Sequence, residues 1–303
     1  MWIPFATRRE HRELLTGPIE IHELPAPGVR VRHLGVGHFV VADFWTRDFA
    51  ENLRHLEEVR VVQAMSAGIE EIVGHVPEGA ILCDGAGIHD GPVAEWVAMA
   101  TLASRRQLVR HVLDQSRAVW KHPGLDGSDD LQGTTVLIVG YGSIGRSVES
   151  RLAPFGSRFL RVARHARDGV AGANELPSLL PKADVVVVLL PLTPATEGFV
   201  DARFIASMRP GALLVNPARG RIVDTEALAD ALEAGRIRAA IDVSDPEPLP
   251  PEHRLWRAPG VLITPHIAGS VSRAYDRSWR FVSEQLRRYL DSEPLLNIVT
   301  DGY

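Results

Sequence analysis

Apolar positions along this chain follow two alternating rhythms. Short runs of Val, Ile and Leu are separated by longer stretches in which apolar residues recur at helical spacing, the alternation expected of an α/β fold on a mostly parallel sheet. Before residue 90 the pattern predicts strands at about 29–34, 37–41, 60–64 and 80–83, with a helix near 48–57. The stretch from Gly85 to Trp120 opens with turn residues, sets Pro92 where a first helical turn tolerates it, and continues as one long helical pattern. After a polar loop at 122–133, the run TTVLIVG starts a second series of strands at 135–139, 158–163, 184–189, 212–215, 239–242 and 261–263. Six strands with helical crossovers match a doubly wound sheet. The last helical stretch, 274–290, carries Trp279, Val282, Leu286 and Tyr289 on one stripe with Phe281 and Leu290 beside it, and is expected to return to the first domain. The predicted division is therefore 1–91, 92–274 and 275–303.

Composition narrows the picture. The 303 residues suffice for two cores, and a hydrophobic fraction of 45% with 23% charged residues is that of a globular protein. No apolar run is long enough to span a bilayer, and in MWIPFATRRE the charges follow the apolar residues, the wrong order for a secretory signal, so a cytoplasmic address is expected. The lone Cys83 excludes an internal disulfide and a cysteine-built metal cluster, and is expected to be a small buried hydrophobe. A net charge of -5 offers no general attraction to nucleic acid or anionic membrane, so neither is expected as a partner. His89 and Asp90 have a metal-like composition, but adjacent ligands without a third fit a helix start better, and no metal site is expected.

Gly140-Tyr141-Gly142-Ser143-Ile144-Gly145 directly follows one of these strands and precedes a helical pattern. In that setting the first glycine permits a tight turn, the second admits a pyrophosphate to the backbone, and the third lets helix and strand pack closely. The helix N-terminus then offers unpaired N–H groups to phosphate. This is a dinucleotide loop. An Asp or Glu about twenty residues further on would hold the ribose of NAD. Here the second strand ends in Ala163-Arg164-His165-Ala166-Arg167, where two guanidinium groups suit a 2′-phosphate. NADP is the expected cofactor, with NAD possible if Asp168 takes the ribose instead.

Three later segments, LLVNPARGRIVD, AAIDVSDPEPLP and VLITPHIAGS, each put a chemically useful residue at or just past a strand end. Arg219 can clamp a carboxylate with forked donors, His266 titrates near neutrality and can pass a proton, and Glu247 would favour its charged form. Those types serve reduction of a 2-oxo acid, which needs a cation for the carboxylate and a proton for the carbonyl oxygen. Met65 is open to either a substrate contact or a core position. Trp45, Trp96, Trp120 and Trp256 include candidates for a pocket wall from a partner subunit, although large aromatics more often fill cores.

Taken together, SAGI at 66–69, the glycine loop, LPLTPATEGFV at 190–200, MRPGALLVNPARGRIVD at 208–224 and the Glu and His segments resemble the D-isomer-specific 2-hydroxyacid dehydrogenase family across residues 60–298. The resemblance implies two Rossmann-like and flavodoxin-like domains with doubly wound parallel sheets, the cofactor domain (92–274) inserted into the substrate domain (1–91 and 275–303). It makes Arg219 the substrate-binding arginine, Glu247 and His266 the acid–base pair, and the backbone around Ala67 and Gly68 a carboxylate-binding loop. It sets Asp242 against the nicotinamide carboxamide, and puts Pro191, Thr193, Ala218 and Gly269 along the cofactor. The stretch from RFL to Arg167 with LTPATEG is most similar to NADPH-dependent glyoxylate and hydroxypyruvate reductases. Glu70-Glu71-Ile72 departs from the Asp-Asn-like turn common after SAGI, and the first sixty residues match poorly. An end at Tyr303 leaves no room for the regulatory domain of many phosphoglycerate dehydrogenases. The family's dimer contact implies a homodimer through the apolar face of the helix after Pro92, including Val93, Trp96, Val97 and Leu102. Rival readings are a dinucleotide-sensing binding protein, and a dehydrogenase of the same fold for formate or phosphite.

Overall fold

Prolines and glycines cut the first ninety residues into short strands. In a computed structural model, which describes residues 1–29, 31–43, 48–122 and 128–300, these are β1 (Trp2–Ile3), β2 (His22–Glu23), β3 (Gly35–Val36), β4 (Phe39–Ala42), β5 (Leu56–Glu57), β6 (Val61–Ala64) and β7 (Ile81–Cys83). Five of them pair in parallel in the order β2-β1-β4-β6-β7, and β3 pairs with β5 separately. Val40, Val41, Val61 and Val62 are at most 1% exposed, so this sheet is covered on both faces, as parallel sheets require. One cover is the helix Ala274–Leu290, whose Trp279, Val282 and Leu286 pack with Ile3, Phe39 and Met65. Gln285 on that helix donates to Gln63 on β6 at 2.7 Å, which pairs two fully buried amides. Met1–His89 and the segment from Val271 on thus form one compact unit.

Two local expectations fail here. Among the described residues 29–34 hold no strand; Pro25, Pro27 and Gly28 break the run, and the Gly28 amide is capped by Asp48 at 2.6 Å. The helix expected at 48–57 stops at Leu53, because Leu56–Glu57 is recruited to pair with Gly35–Val36. Met65 is fully buried and belongs to the core. Trp45 lies outside the described residues.

The second unit, Asp90–Ser270, holds β8 (Thr135–Val139), β9 (Arg158–Ala163), β10 (Ala171–Gly172), β11 (Val185–Val188), β12 (Leu213–Asn216), β13 (Arg238–Ile241) and β14 (Val261–Ile263). They form one parallel sheet in the order β10-β9-β8-β11-β12-β13-β14, doubly wound about β8. The two-residue β10 is too short to register as a hydrophobic period. The predicted long helix is two: Asp90–Arg105 and Leu108–Ser116, broken where Gln107 turns left-handed at φ 53°. The first starts at Asp90, which accepts a hydrogen bond from Ser143. Its Val93, Trp96 and Val97 pack with Val136, Ile138 and Leu152 of the same unit. That face is therefore spent internally, whereas on the following helix Leu108, Val109, Val112 and Leu113 are exposed. No described helix is long and apolar enough to cross a membrane.

Candidate active site

Gly140 sits at φ 95°, and a Cβ there would lie 2.6 Å from the carbonyl oxygen of Leu189, where the loops after β8 and β11 meet. Gly142 has nothing within 4 Å of its would-be Cβ, while at Gly145 a Cβ would press on Tyr141 and Ile138. The three glycines thus make a tight turn, an open approach and a close helix–strand contact, in that order. Ser143–Leu152 begins at once, so its free first-turn amides border the open approach. These residues fit the pyrophosphate of a dinucleotide.

A network that the sequence reading missed braces this loop. Tyr141 donates its hydroxyl to Glu149 at 2.7 Å, and Arg161 on β9 grips the same carboxylate through Nε at 2.6 Å and Nη2 at 2.5 Å. The Arg161 hydrogen bond holds the Glu149 carboxyl below the usual carboxylate range, and burial, aided by Glu149, pushes the Tyr141 phenol up. Beyond β9, Arg164, His165, Arg167 and Asp168 are all exposed. Arg167 donates to the Tyr141 carbonyl at 2.5 Å, which ties its guanidinium to the glycine loop.

Past β11, Pro191 and Thr193 stand in a loop fastened by Thr196, whose hydroxyl donates to the Pro191 carbonyl at 2.5 Å and accepts from the Thr193 amide at 2.8 Å. At the end of β12, the buried Asn216 accepts from the Ala218 amide at 3.1 Å and donates to the Arg219 carbonyl at 3.0 Å. That clip shapes the turn that carries Arg219, whose Nη1 donates to the Ala218 carbonyl at 2.7 Å. The next residue, Gly220, abuts the loop past β13: a Cβ there would lie 1.9 Å from the Ser244 oxygen. Only glycine fits.

Glu247 lies in that same loop, and its Oε1 is 2.6 Å from His266 Nδ1 in the turn past β14. Both side chains remain partly exposed, at 41% and 45%. Since β12, β13 and β14 are neighbours, Arg219, Glu247 and His266 all leave the carboxyl edge of adjacent strands, where open α/β sheets bind ligands. His266 has φ 54°, a left-handed conformation that costs a non-glycine residue about 1 kcal/mol or more. Asp242, expected at the nicotinamide, is 1% exposed, and its carboxylate accepts from Thr264 Oγ1 at 2.5 Å and the amides of Ile267 and Ala268 at 2.9 and 2.7 Å. Gly269 follows in the same bend.

Ala67 and Gly68 belong to the other unit, in a turn past β6 where the Gly68 amide donates to Ser66 Oγ at 3.0 Å. Of the tryptophans, Trp96 is buried, Trp256 donates to the Pro250 carbonyl from a half-exposed position, and Trp120 is 99% exposed.

The comparisons with known proteins agree with this geometry. Residues 98–268 match the family described as D-isomer specific 2-hydroxyacid dehydrogenase, NAD binding domain. A human protein named glyoxylate reductase/hydroxypyruvate reductase is 32% identical over 258 residues, 78% of this chain and 76% of its own. An Arabidopsis thaliana formate dehydrogenase is 31% identical, covering 84% of this chain and 70% of its own. The D-3-phosphoglycerate dehydrogenase of Mycobacterium leprae is 32% identical across 80% of this chain, which spans only 47% of that relative's length. Among solved structures, the NADPH-dependent glyoxylate/hydroxypyruvate reductase of Sinorhizobium meliloti, in complex with NADP and sulfate, superposes with a TM-score of 0.83 at 25% identity over 98% of this chain and 97% of that one. With a glycine loop at the switch point and an arginine, a glutamate and a histidine at neighbouring strand ends, this chain belongs to the D-isomer specific 2-hydroxyacid dehydrogenase family of NAD(P)-dependent oxidoreductases.

Proposed function

We propose that the chain interconverts a small 2-oxo acid and its D-2-hydroxy acid, of the glyoxylate or hydroxypyruvate kind, with NADP(H) preferred to NAD(H). The observation that carries this reading is the Glu247–His266 pair at the strand edge that also bears Arg219. In reduction the Arg219 guanidinium holds the substrate carboxylate through forked donors and orients the carbonyl. His266 then gives a proton from Nε2 to the carbonyl oxygen, while Glu247 engages Nδ1 and so fixes which nitrogen faces the substrate. When bound, NADPH supplies the hydride to the carbonyl carbon. For Ala67 and Gly68 as carboxylate donors, the reading rests on the resemblance of the sequence alone.

For the cofactor, the glycine loop and the first turn of Ser143–Leu152 take the pyrophosphate, and Pro191, Thr193, Ala218 and Gly269 lie along the remainder. Arg164 and Arg167, with His165 between them, take the 2′-phosphate; Arg167 is already steered by its bond to the Tyr141 carbonyl. The domain bounds expected from the sequence accompany this proposal: substrate domain at 1–91 and 275–303, cofactor domain at 92–274.

The formate reading has the Arabidopsis relative in its favour. Oxidising formate to carbon dioxide creates and consumes no hydroxyl proton, however, so it has no use for a Glu–His acid–base pair. The pair favours the 2-oxo acid. We further assign the exposed helix Leu108–Ser116 as the contact of a homodimer, since a nine-residue helix with no buried side chain is marginal unless something covers it.

A screen of nicotinamide absorbance tests the main reading, with glyoxylate, hydroxypyruvate, pyruvate and branched 2-oxo acids against NADPH and NADH, and formate against the oxidised cofactors. Turnover of a short 2-oxo acid with NADPH is the expected result. Cofactor binding without turnover of any acid points to a sensor, and turnover of formate alone to the rival dehydrogenase.

A further inference from the structure

The left-handed turn at His266 is costly for a non-glycine residue and needs a restraint. Four hydrogen bonds converge on Asp242 to hold it. The His266 amide donates to the Asp242 carbonyl at 2.7 Å, Thr264 Oγ1 and the Ile267 amide donate to Oδ1 at 2.5 and 2.9 Å, and the Ala268 amide donates to Oδ2 at 2.7 Å. A fifth lies behind them, from Trp96 Nε1 to Thr264 Oγ1 at 3.0 Å. An indole nitrogen can only donate, so Thr264 must accept from Trp96 and can send its single proton only onward, to Asp242. The direction of the chain is fixed. Asp242 is fully buried, so its carboxylate depends on these donors for its hydrogen bonds and its orientation.

We propose that the relay Trp96–Thr264–Asp242 is the positioning device of the acid–base histidine: the directed Thr264 proton sets the Asp242 carboxylate so that it catches two amides and locks His266 toward Glu247. Their hydrogen bonds run to one another and to the backbone of the turn. They act through the turn, and Thr264 is the member whose loss alters the turn without removing a charge. This inference rests on His266 being the proton donor, and it differs from the sequence-based expectation that Asp242 serves the nicotinamide.

The test compares Thr264→Val, Thr264→Ser and Trp96→Phe with the parent enzyme. Each is measured by steady-state kinetics against NADPH and the preferred 2-oxo acid, by NADPH titration, and by NMR titration of the His266 ring protons. Thr264→Val is expected to lower kcat about tenfold or more with NADPH affinity within about twofold, and to move the His266 ring titration. Thr264→Ser keeps the hydroxyl and is expected to recover most of both, with Trp96→Phe intermediate. An unmoved ring titration with parental kcat in Thr264→Val overturns the proposal. So does equal damage from Val and Ser, or a loss confined to NADPH affinity, which would return Asp242 to the cofactor. Should Thr264→Val fail to fold, Trp96→Phe decides by the same readouts. His266→Ala run alongside separates the two ideas: turnover retained there defeats the acid–base reading, while the ring titration in the Thr264 variants still decides the relay.

Discussion

His266 Nδ1 and Glu247 Oε1 meet at 2.6 Å although their loops leave different strands. A contact of that length fixes the imidazole's orientation and commits Nδ1, so the ring can exchange a proton with substrate only through Nε2. Replacing His266 with Ala removes the proposed proton donor, and turnover should fall by about a hundredfold to ten-thousandfold with NADPH affinity nearly unchanged. Glu247→Gln keeps an oxygen acceptor and loses the charge, so it should cost less than His266→Ala. Steady-state kinetics and fluorescence titration with NADPH check both, and an active His266→Ala variant removes the proposed role.

Gly220 makes a separate prediction. Its would-be Cβ lies 1.9 Å from the Ser244 oxygen and 2.1 Å from the Ser244 carbonyl carbon, so any side chain must drive the Arg219 turn away from the loop that carries Glu247. Gly220→Ala should lower stability by about 1–3 kcal/mol in urea unfolding and reduce kcat together. A variant with parental stability and turnover shows that the two loops yield without cost.

How legible was this in the sequence? The central strands of the second sheet, β8, β11 and β12, read well because their runs of Val, Ile and Leu are buried on both sides; all four valines of β11 are wholly unexposed. In the first sheet the two-residue strands β1 and β2 read poorly, since they have no period to detect and are held by neighbours distant in sequence. Arg219, Glu247 and His266 could be proposed from the sequence because those residue types in those segments carry recognisable chemistry. Their supports could not: Asn216 clips its own turn, while Gly220, Thr264 and Trp96 act through contacts with other segments, and their side-chain types suggest nothing until the strands are set side by side. The apolar face of Asp90–Arg105 misled for the same reason, because periodicity shows that a face must be covered and not by what.

Cofactor choice can be tested on Arg164 and Arg167. Arg167 donates to the Tyr141 carbonyl at 2.5 Å, leaving its other donors to a 2′-phosphate. Arg164→Asp brings a carboxylate suited to a free ribose hydroxyl and repels phosphate. The ratio of kcat/KM for NADPH over NADH should drop by about tenfold or more, and Arg167→Ala should move it the same way. An unchanged ratio in both variants excludes these arginines from the choice.

The exposed helix Leu108–Ser116 makes a prediction about assembly. Leu108, Val112 and Leu113 are 51%, 52% and 49% exposed, an apolar stripe that water penalises. Charges there should be harmless to the fold of the unit, whose core these side chains do not enter. The double variant Val112→Glu, Leu113→Glu should therefore run as a monomer in sedimentation, with the parent a dimer. A parent that sediments as a monomer refutes the assignment.

Cys83 offers a prediction about pH. The side chain is fully buried, and burial pushes its thiol from an ordinary 9.0 up to about 11. Because the folded value lies above the unfolded one, the folded state holds its proton more tightly, so the stability linked to this group is complete below about 9 and is lost as pH climbs through about 11. A thiolate is the reactive form, so at about pH 8 a disulfide reagent should label the native protein far more slowly than the urea-unfolded chain. The urea midpoint of the parent should also fall more steeply between about pH 9 and 11 than that of Cys83→Ala, which has no thiol to ionise. Rapid labelling of the native protein, or identical pH profiles for the two, would mean that the thiol is not held neutral by its surroundings.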